Sequence, residues 1–218
     1  MALVATTRTY GGQTADERGE ERRARLLAAA LELFGEEGLS GIGVRSVSGR
    51  AGLATRYFYE SFANREALLT ALYDAVAREI SDEIFRAAAA APDDARSKVR
   101  AAIEGCLRIF EEDPRKGRIV FADSAVDPSL AAARETMLQK WAHLSRRHGE
   151  RFYGAHADDD AARVVSLMLT GGVGVLANWW LDDPTRAPRE TLVEQASALY
   201  VAAAEMVFGR PPAGSASG

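Results

Sequence analysis

Between Ile42 and Glu66 the chain reads IGVRSVSGRAGLATRYFYESFANRE, a run that leaves the backbone few choices. A short polar helix ends at Ala51-Gly52, and a second short helix carrying Thr55, Arg56, Tyr57 and Tyr59 follows at once. The turn between them needs a left-handed or crowded backbone, which a residue without a Cβ adopts at least cost, and Gly52 supplies it. Val44 and Val47 before the turn, with Leu53, Phe58 and Phe62 after it, provide the apolar surface that locks both helices onto a third. The second helix then shows hydroxyls, a guanidinium and phenols to solvent. Such groups donate to phosphate oxygens and base edges, as a helix lying in the major groove must. The segment reads as a DNA-binding helix-turn-helix.

The rest of the chain is built for helix. It is alanine-rich, has seven prolines in 218 residues and shows no strand pattern, so an all-α fold of about nine helices is expected. The single cysteine, Cys106, excludes an intramolecular disulfide and fits a reducing compartment. No apolar stretch is expected to reach the roughly 18 residues that cross a bilayer. The start, MALVATTRTYGGQT, lacks the basic-then-apolar pattern of a secretory leader, so a cytoplasmic location with no membrane partner is expected. The net charge is −4, and residues 1–75 hold nine arginines and no lysine against ten acidic residues. That balance argues against strong sequence-independent binding, where clustered cations dominate, and leaves specific binding through a few placed cations.

Four segments are expected: a disordered arm at 1–19, a helix-turn-helix domain at 20–63, a larger helical domain at 64–209 and a disordered tail at 210–218. Helical periodicity starts near Glu20, with Leu27, Leu31 and Phe34 at i, i+4, i+7 and Gly38 as a stop. Asn64 caps a long helix striped by Leu68, Leu72, Val76, Ile80 and Ile84. Asp93 or Asp94 opens the next, through about Glu112, and Asp113-Pro114 and Asp127-Pro128 open two more. Two apolar helices, about 158–182 and 187–208, close the chain.

No catalytic signature is present: no P-loop, dinucleotide fingerprint, nucleophile elbow or HExxH. His143, His148 and His156 are not spaced to share a helix face as metal ligands, and Cys106 lies in an apolar stripe. Asp158-Asp159-Asp160 stands where a helix starts and is explained by capping. No catalytic residue, metal or cofactor is therefore expected. A small helical enzyme, and a ligand-sensing protein whose head no longer binds DNA, stay open as alternatives.

Taken in order, Leu27 to Phe34, Gly38, Ala51-Gly52-Leu53, Tyr57-Phe58-Tyr59-Glu60-Ser61-Phe62 and Asn64-Arg65-Glu66-Ala67-Leu68 resemble the TetR family of bacterial transcription regulators over residues 20–70. The resemblance implies a three-helix DNA-binding head joined to an effector-binding and dimerisation domain. It places Thr55, Arg56 and Tyr57 at base edges, Tyr59 and Arg65 near phosphate, and Arg45 against the backbone across the groove. Two positions depart from the family pattern: Gly43 and Ala54 stand where a hydroxyl cap is usual. Each lost cap costs about 1 kcal/mol. Thr55 is an alternative cap for the recognition helix, which leaves Arg56, able to bridge O6 and N7 of guanine, as the foremost base contact.

In such proteins the last two helices pair with a second copy. Gly171, Val175, Leu192, Ala196, Leu199, Ala203 and Met206 are the candidate homodimer contacts, with Gly171, Gly172 and Gly174 allowing close approach. Cys106, Phe110, Phe121, Met137, Trp141, Met168 and Trp179 are candidates to line a pocket for a small apolar or aromatic effector. The same residues also suit a plain core. The implied function is a repressor on a palindromic double-stranded DNA operator, released when the effector shifts the spacing of the two recognition helices.

Overall fold

The computed structural model describes residues 14–123, 127–153 and 159–209; the expected tail, and the arm up to residue 13, lie outside them. Among the described residues there are nine α-helices and no strand. They are α1 (Ala15–Glu37), α2 (Val44–Arg50), α3 (Thr55–Ser61), α4 (Arg65–Ala90), α5 (Ala95–Glu112) and α6 (Pro114–Gly117). A π-helical turn, Arg118–Asp123, continues α6, and α7 (Ala131–Tyr153), α8 (Asp159–Asp182) and α9 (Arg189–Phe208) complete the order. The chain divides into two compact units, Met1–Leu72 and Tyr73–Gly218.

In the first unit α1 starts at Ala15, earlier than the expected Glu20. The cause is a capping box: the Glu17 amide donates to Thr14 Oγ1 at 3.2 Å, and the Thr14 amide donates to Glu17 Oε2 at 2.6 Å. Its core face is Leu26, Ala29, Ala30, Leu33 and Phe34, with Leu27 and Leu31 only half-buried beside it. The stripe is thus turned from the one expected, because Leu33 and Phe34 are adjacent and both go inward. Gly38 ends the helix at φ +68°.

The second unit is laid out close to expectation. Asp94 caps α5 through the Ser97 amide at 2.8 Å, and Asp113 caps α6 ahead of Pro114. Val76, Ile80, Val99, Ile103, Leu107, Phe110, Ile119 and Val120 form its core with Met137 and Val193. Cys106 is a buried free thiol, as its stripe implied.

Two expectations need correction here. The stretch Asp160–Asp182 has a mean hydropathy of 1.5 and is, by length and composition alone, apolar enough to cross a membrane. It packs on α7, α9 and α5 while one apolar face stays exposed, so the helix is apolar on both of its working sides. Gly174, expected to serve a second copy, instead faces inward onto the Phe121 ring, and a Cβ there would overlap Phe121 Cδ1 and Cε1.

That ring is held by Phe110 at 5.8 Å and Trp141 at 5.9 Å, so it cannot simply swing aside. Gly174→Ala should therefore lower stability by about 1–3 kcal/mol despite the better helix propensity of alanine. Gly172→Ala, with nothing near its Cβ, should not. Paired thermal melts of the two variants distinguish these outcomes.

Candidate nucleic-acid interface and effector cavity

The recognition surface is set by what the head buries. Phe58 is fully buried and Phe62 nearly so, with ring centroids 5.7 Å apart, and Val47 closes the same core from α2. This fixes the roll of α3 about its axis. Thr55, Arg56 and Tyr59 are thereby turned to solvent, Tyr59 at 58% exposure, while Tyr57 is half-buried.

The turn takes the shape that its glycine predicted. Gly52 has φ +64°, its amide donates to the Gly49 carbonyl at 3.1 Å, and the Leu53 amide donates to Ser48 O at 2.9 Å. Arg25 of α1 adds a donor that spacing alone does not reveal: its Nη2 reaches the Ala51 carbonyl at 2.6 Å. Arg23 donates to Ser61 O at 3.1 Å and stacks on Phe62 at 4.4 Å, fixing the far end of α3.

The missing caps are handled differently at the two short helices. At α2 the Gly43 amide donates to Ser46 Oγ at 2.9 Å, so a side chain inside the first turn supplies half of a capping box. At α3 the N-cap is Ala54, without a side-chain acceptor, and Thr55 is the first helical residue, not its cap. The Thr55 hydroxyl is not used for capping and stays on the exposed face.

The arginines divide into two groups. Arg56 Nη2 donates to Tyr57 Oη at 2.7 Å, with its guanidinium over the Tyr57 ring at 4.6 Å. Arg22 covers that ring at 4.9 Å and pairs with Glu60 at 3.7 Å. Arg45, at the second position of α2, is exposed and has no partner among the described residues. Arg50 holds Glu36 through both nitrogens at 2.8 and 2.6 Å, which lowers the Glu36 carboxyl below its usual range.

Arg65, expected near phosphate, is directed elsewhere. Its Nε donates to Ile42 O and its Nη2 to Leu39 O, both at 2.6 Å, tying the start of α4 to the turn before α2. The division between the units accordingly falls inside α4, not at the expected residues 63–64.

In the second unit a mostly apolar, partly open cavity has a volume of about 180 Å³. Cys106, Phe121 and Trp141 of the expected pocket residues line it. The other four do not. Phe110 and Met137 are core, Met137 accepting from Tyr73 Oη at 3.1 Å, and Met168 and Trp179 point outward. Sequence reading missed Ser81, Phe85, Lys98, Ser145, His148, Thr170 and Tyr200. Ser145 and His148 follow Trp141 at i+4 and i+7, so helical spacing from that tryptophan points to both.

The exposed apolar face of the last two helices carries Val164, Met168, Val175 (71% exposed), Trp179, Leu199 and Met206 (74%). Gly171, Ala196 and Ala203 are half-buried between them. Leu192, expected on this face, is buried inside the protomer and drops out.

An all-helical chain whose N-terminal unit presents a helix-turn-helix in this way has the architecture of a DNA-binding regulator. Residues 26–72 match the family described as bacterial regulatory proteins, tetR family. Over most of its length the chain is similar to curated transcription regulators of Mycolicibacterium smegmatis. It is 27% identical to the HTH-type transcriptional activator FasR, covering 80% of this chain and 79% of that one. It is 26% identical to the HTH-type transcriptional regulator EthR, covering 99% and 100%. A solved transcriptional regulator from Pseudomonas aeruginosa PAO1 shares the fold, with a TM-score of 0.71 at 19% identity over 86% of this chain and 94% of that one. Residues 26–72 thus carry a head of the tetR-family kind, and the chain as a whole is similar to DNA-binding transcription regulators.

Proposed function

We propose that the protein binds a palindromic operator as a homodimer, in the cytoplasm, and represses nearby transcription until a small apolar or aromatic ligand enters the cavity. It performs no chemistry on that ligand. The observation that carries this reading is the pair of opposed faces on α3: Phe58 and Phe62 inward, Thr55, Arg56 and Tyr59 outward. The exposed apolar face of α8 and α9 is the natural seat for a second copy, since single chains rarely leave a patch of this kind uncovered. A two-fold axis through it matches a palindromic site. A ligand that favours one state by about 1–3 kcal/mol changes operator affinity roughly 5–150-fold. FasR is named an activator, so kinship alone does not supply the sign of regulation.

Thr55, Arg56 and Tyr57 are assigned to base edges, Tyr59 and Arg45 to the phosphate backbone. Arg56 must leave Tyr57 to reach a base; the contact is exposed, so little opposes the exchange. Selection of bound sequences from random duplex DNA at moderate salt is the test. Wild type should recover a palindrome. Arg56→Ala should relax preference at the contacted base pair by about 1–3 kcal/mol, and Tyr59→Phe should weaken binding with preference kept. Recovery of no sequence by wild type, or an unchanged site with both variants, overturns the assignment.

A further inference from the structure

Among the described residues four ionisable side chains line the cavity, and none offers its charge to an occupant. Lys98 Nζ donates to the carbonyl oxygens of Ala88 at 3.1 Å and Ala91 at 3.4 Å, and pairs with Asp93 at 3.4 Å. The ammonium is thereby committed to the end of α4 and its following loop. Burial pushes the Cys106 thiol up to about 12, and burial likewise raises the Tyr200 phenol. His148 is held below its usual range, first by burial and then by the nearby Lys98 and Arg151 charges, so its ring tends to stay neutral. An ionised carboxylate entering this space loses its water and finds no free cation, an unfavourable exchange.

The wall is aromatic with one polar end. Phe121 and Trp141 stand 5.9 Å apart and tilted by 49°, and Phe85 lines the cavity from an exposed position. Two polar positions near Trp141 are already satisfied: Trp141 Nε1 donates to Ser81 Oγ at 2.8 Å, and Ser81 donates to Ala77 O at 2.7 Å. The polar end is different. Ser145 and Tyr200 hydrogen-bond to each other, a contact that uses one hydroxyl hydrogen and leaves the second available. Beside them His148 Nε2 is buried without a hydrogen-bond partner among the described residues.

An apolar cavity of roughly 150 Å³ admits benzene. The space here, about 180 Å³, admits one ring with a small substituent. We infer that the cavity takes an uncharged single-ring aromatic molecule bearing one oxygen that accepts a hydrogen bond from the Ser145–Tyr200 pair. It rejects carboxylates of the same size. The inference rests on the cavity being the effector site and names what that site selects.

Three probes of similar size test it on the full-length protein by titration calorimetry at neutral pH: acetophenone, ethylbenzene and benzoate. Wild type should bind acetophenone roughly tenfold tighter than ethylbenzene and give no measurable heat with benzoate. Ser145→Ala/Tyr200→Phe should reduce acetophenone to the level of ethylbenzene, whose own affinity should not change. Equal affinity of wild type for the two neutral probes, binding of benzoate, no binding of any probe, or a preference that survives the double substitution overturns the inference. Operator affinity measured with and without acetophenone separates it from the broader reading. Selective binding that leaves DNA affinity unchanged supports the ligand class and overturns the effector role. Absence of probe binding with intact operator binding overturns only the ligand class.

Discussion

Phe58→Ala is expected to cost the N-terminal unit about 3–5 kcal/mol, while Tyr59→Phe, one residue on, should cost under about 0.5 kcal/mol. Phe58 is fully buried and meets the rings of Tyr59 at 5.6 Å and Phe62 at 5.7 Å. Removing it deletes the centre of a core made by α1 and two short helices, and so small a unit has little other apolar area with which to close the cavity. Tyr59→Phe keeps the edge contact with Phe58 and removes only an exposed hydroxyl. The functional consequences should run together in the first variant and apart in the second. Phe58→Ala should lose DNA binding because α3 is no longer held; Tyr59→Phe should lose part of it with the head intact. Amide hydrogen exchange across α1–α3, read beside operator affinity, checks both. Retained protection in Phe58→Ala would mean that α3 is positioned by something other than this core.

The contrast between these neighbours was legible in the sequence, because alternation about a short helix after a turn glycine admits one arrangement. Gly52, Val47, Phe58 and Phe62 all occupy the places that their spacing assigned. Arg65 was not legible. A cation at a helix start reads as a phosphate ligand, whereas its partners, Leu39 and Ile42, are backbone carbonyls brought near only by the tertiary fold. The cavity shows the same limit in another form. On α7, polar and apolar residues alternate with helical period, so Trp141 locates Ser145 and His148. On α8, apolar residues surround the helix, and no periodicity decides which of them faces inward. Met168 and Trp179 were assigned to the cavity on residue type alone, and both point away. Residue type selects candidates; only a contrast between faces selects among them.

A buried carboxylate that no motif announces supports the other large prediction. Glu83 of α4, its side chain 7% exposed, pairs with Arg86 and with Arg108 of α5, whose side chains are 72% and 49% exposed. Gly105 lets the helices approach at this point: a Cβ there would be 3.0 Å from Ala87 Cβ and 3.3 Å from Glu83 Oε1. The burden of desolvation is therefore unequal. Either arginine alone can still pair with Glu83, so Arg86→Met and Arg108→Met should each be mild. Together they strand a buried charge, and the double variant should lose about 3–5 kcal/mol at neutral pH, far more than the sum of the single substitutions. Replacing the acid as well removes the charge that the double variant strands, so the triple variant Glu83→Met/Arg86→Met/Arg108→Met should recover most of the loss. Urea denaturation midpoints for the five proteins, wild type included, measure this directly. Additive single and double variants, or a triple variant as unstable as the double, would show that α4 and α5 are held by packing at Gly105 and not by the charge that Glu83 buries.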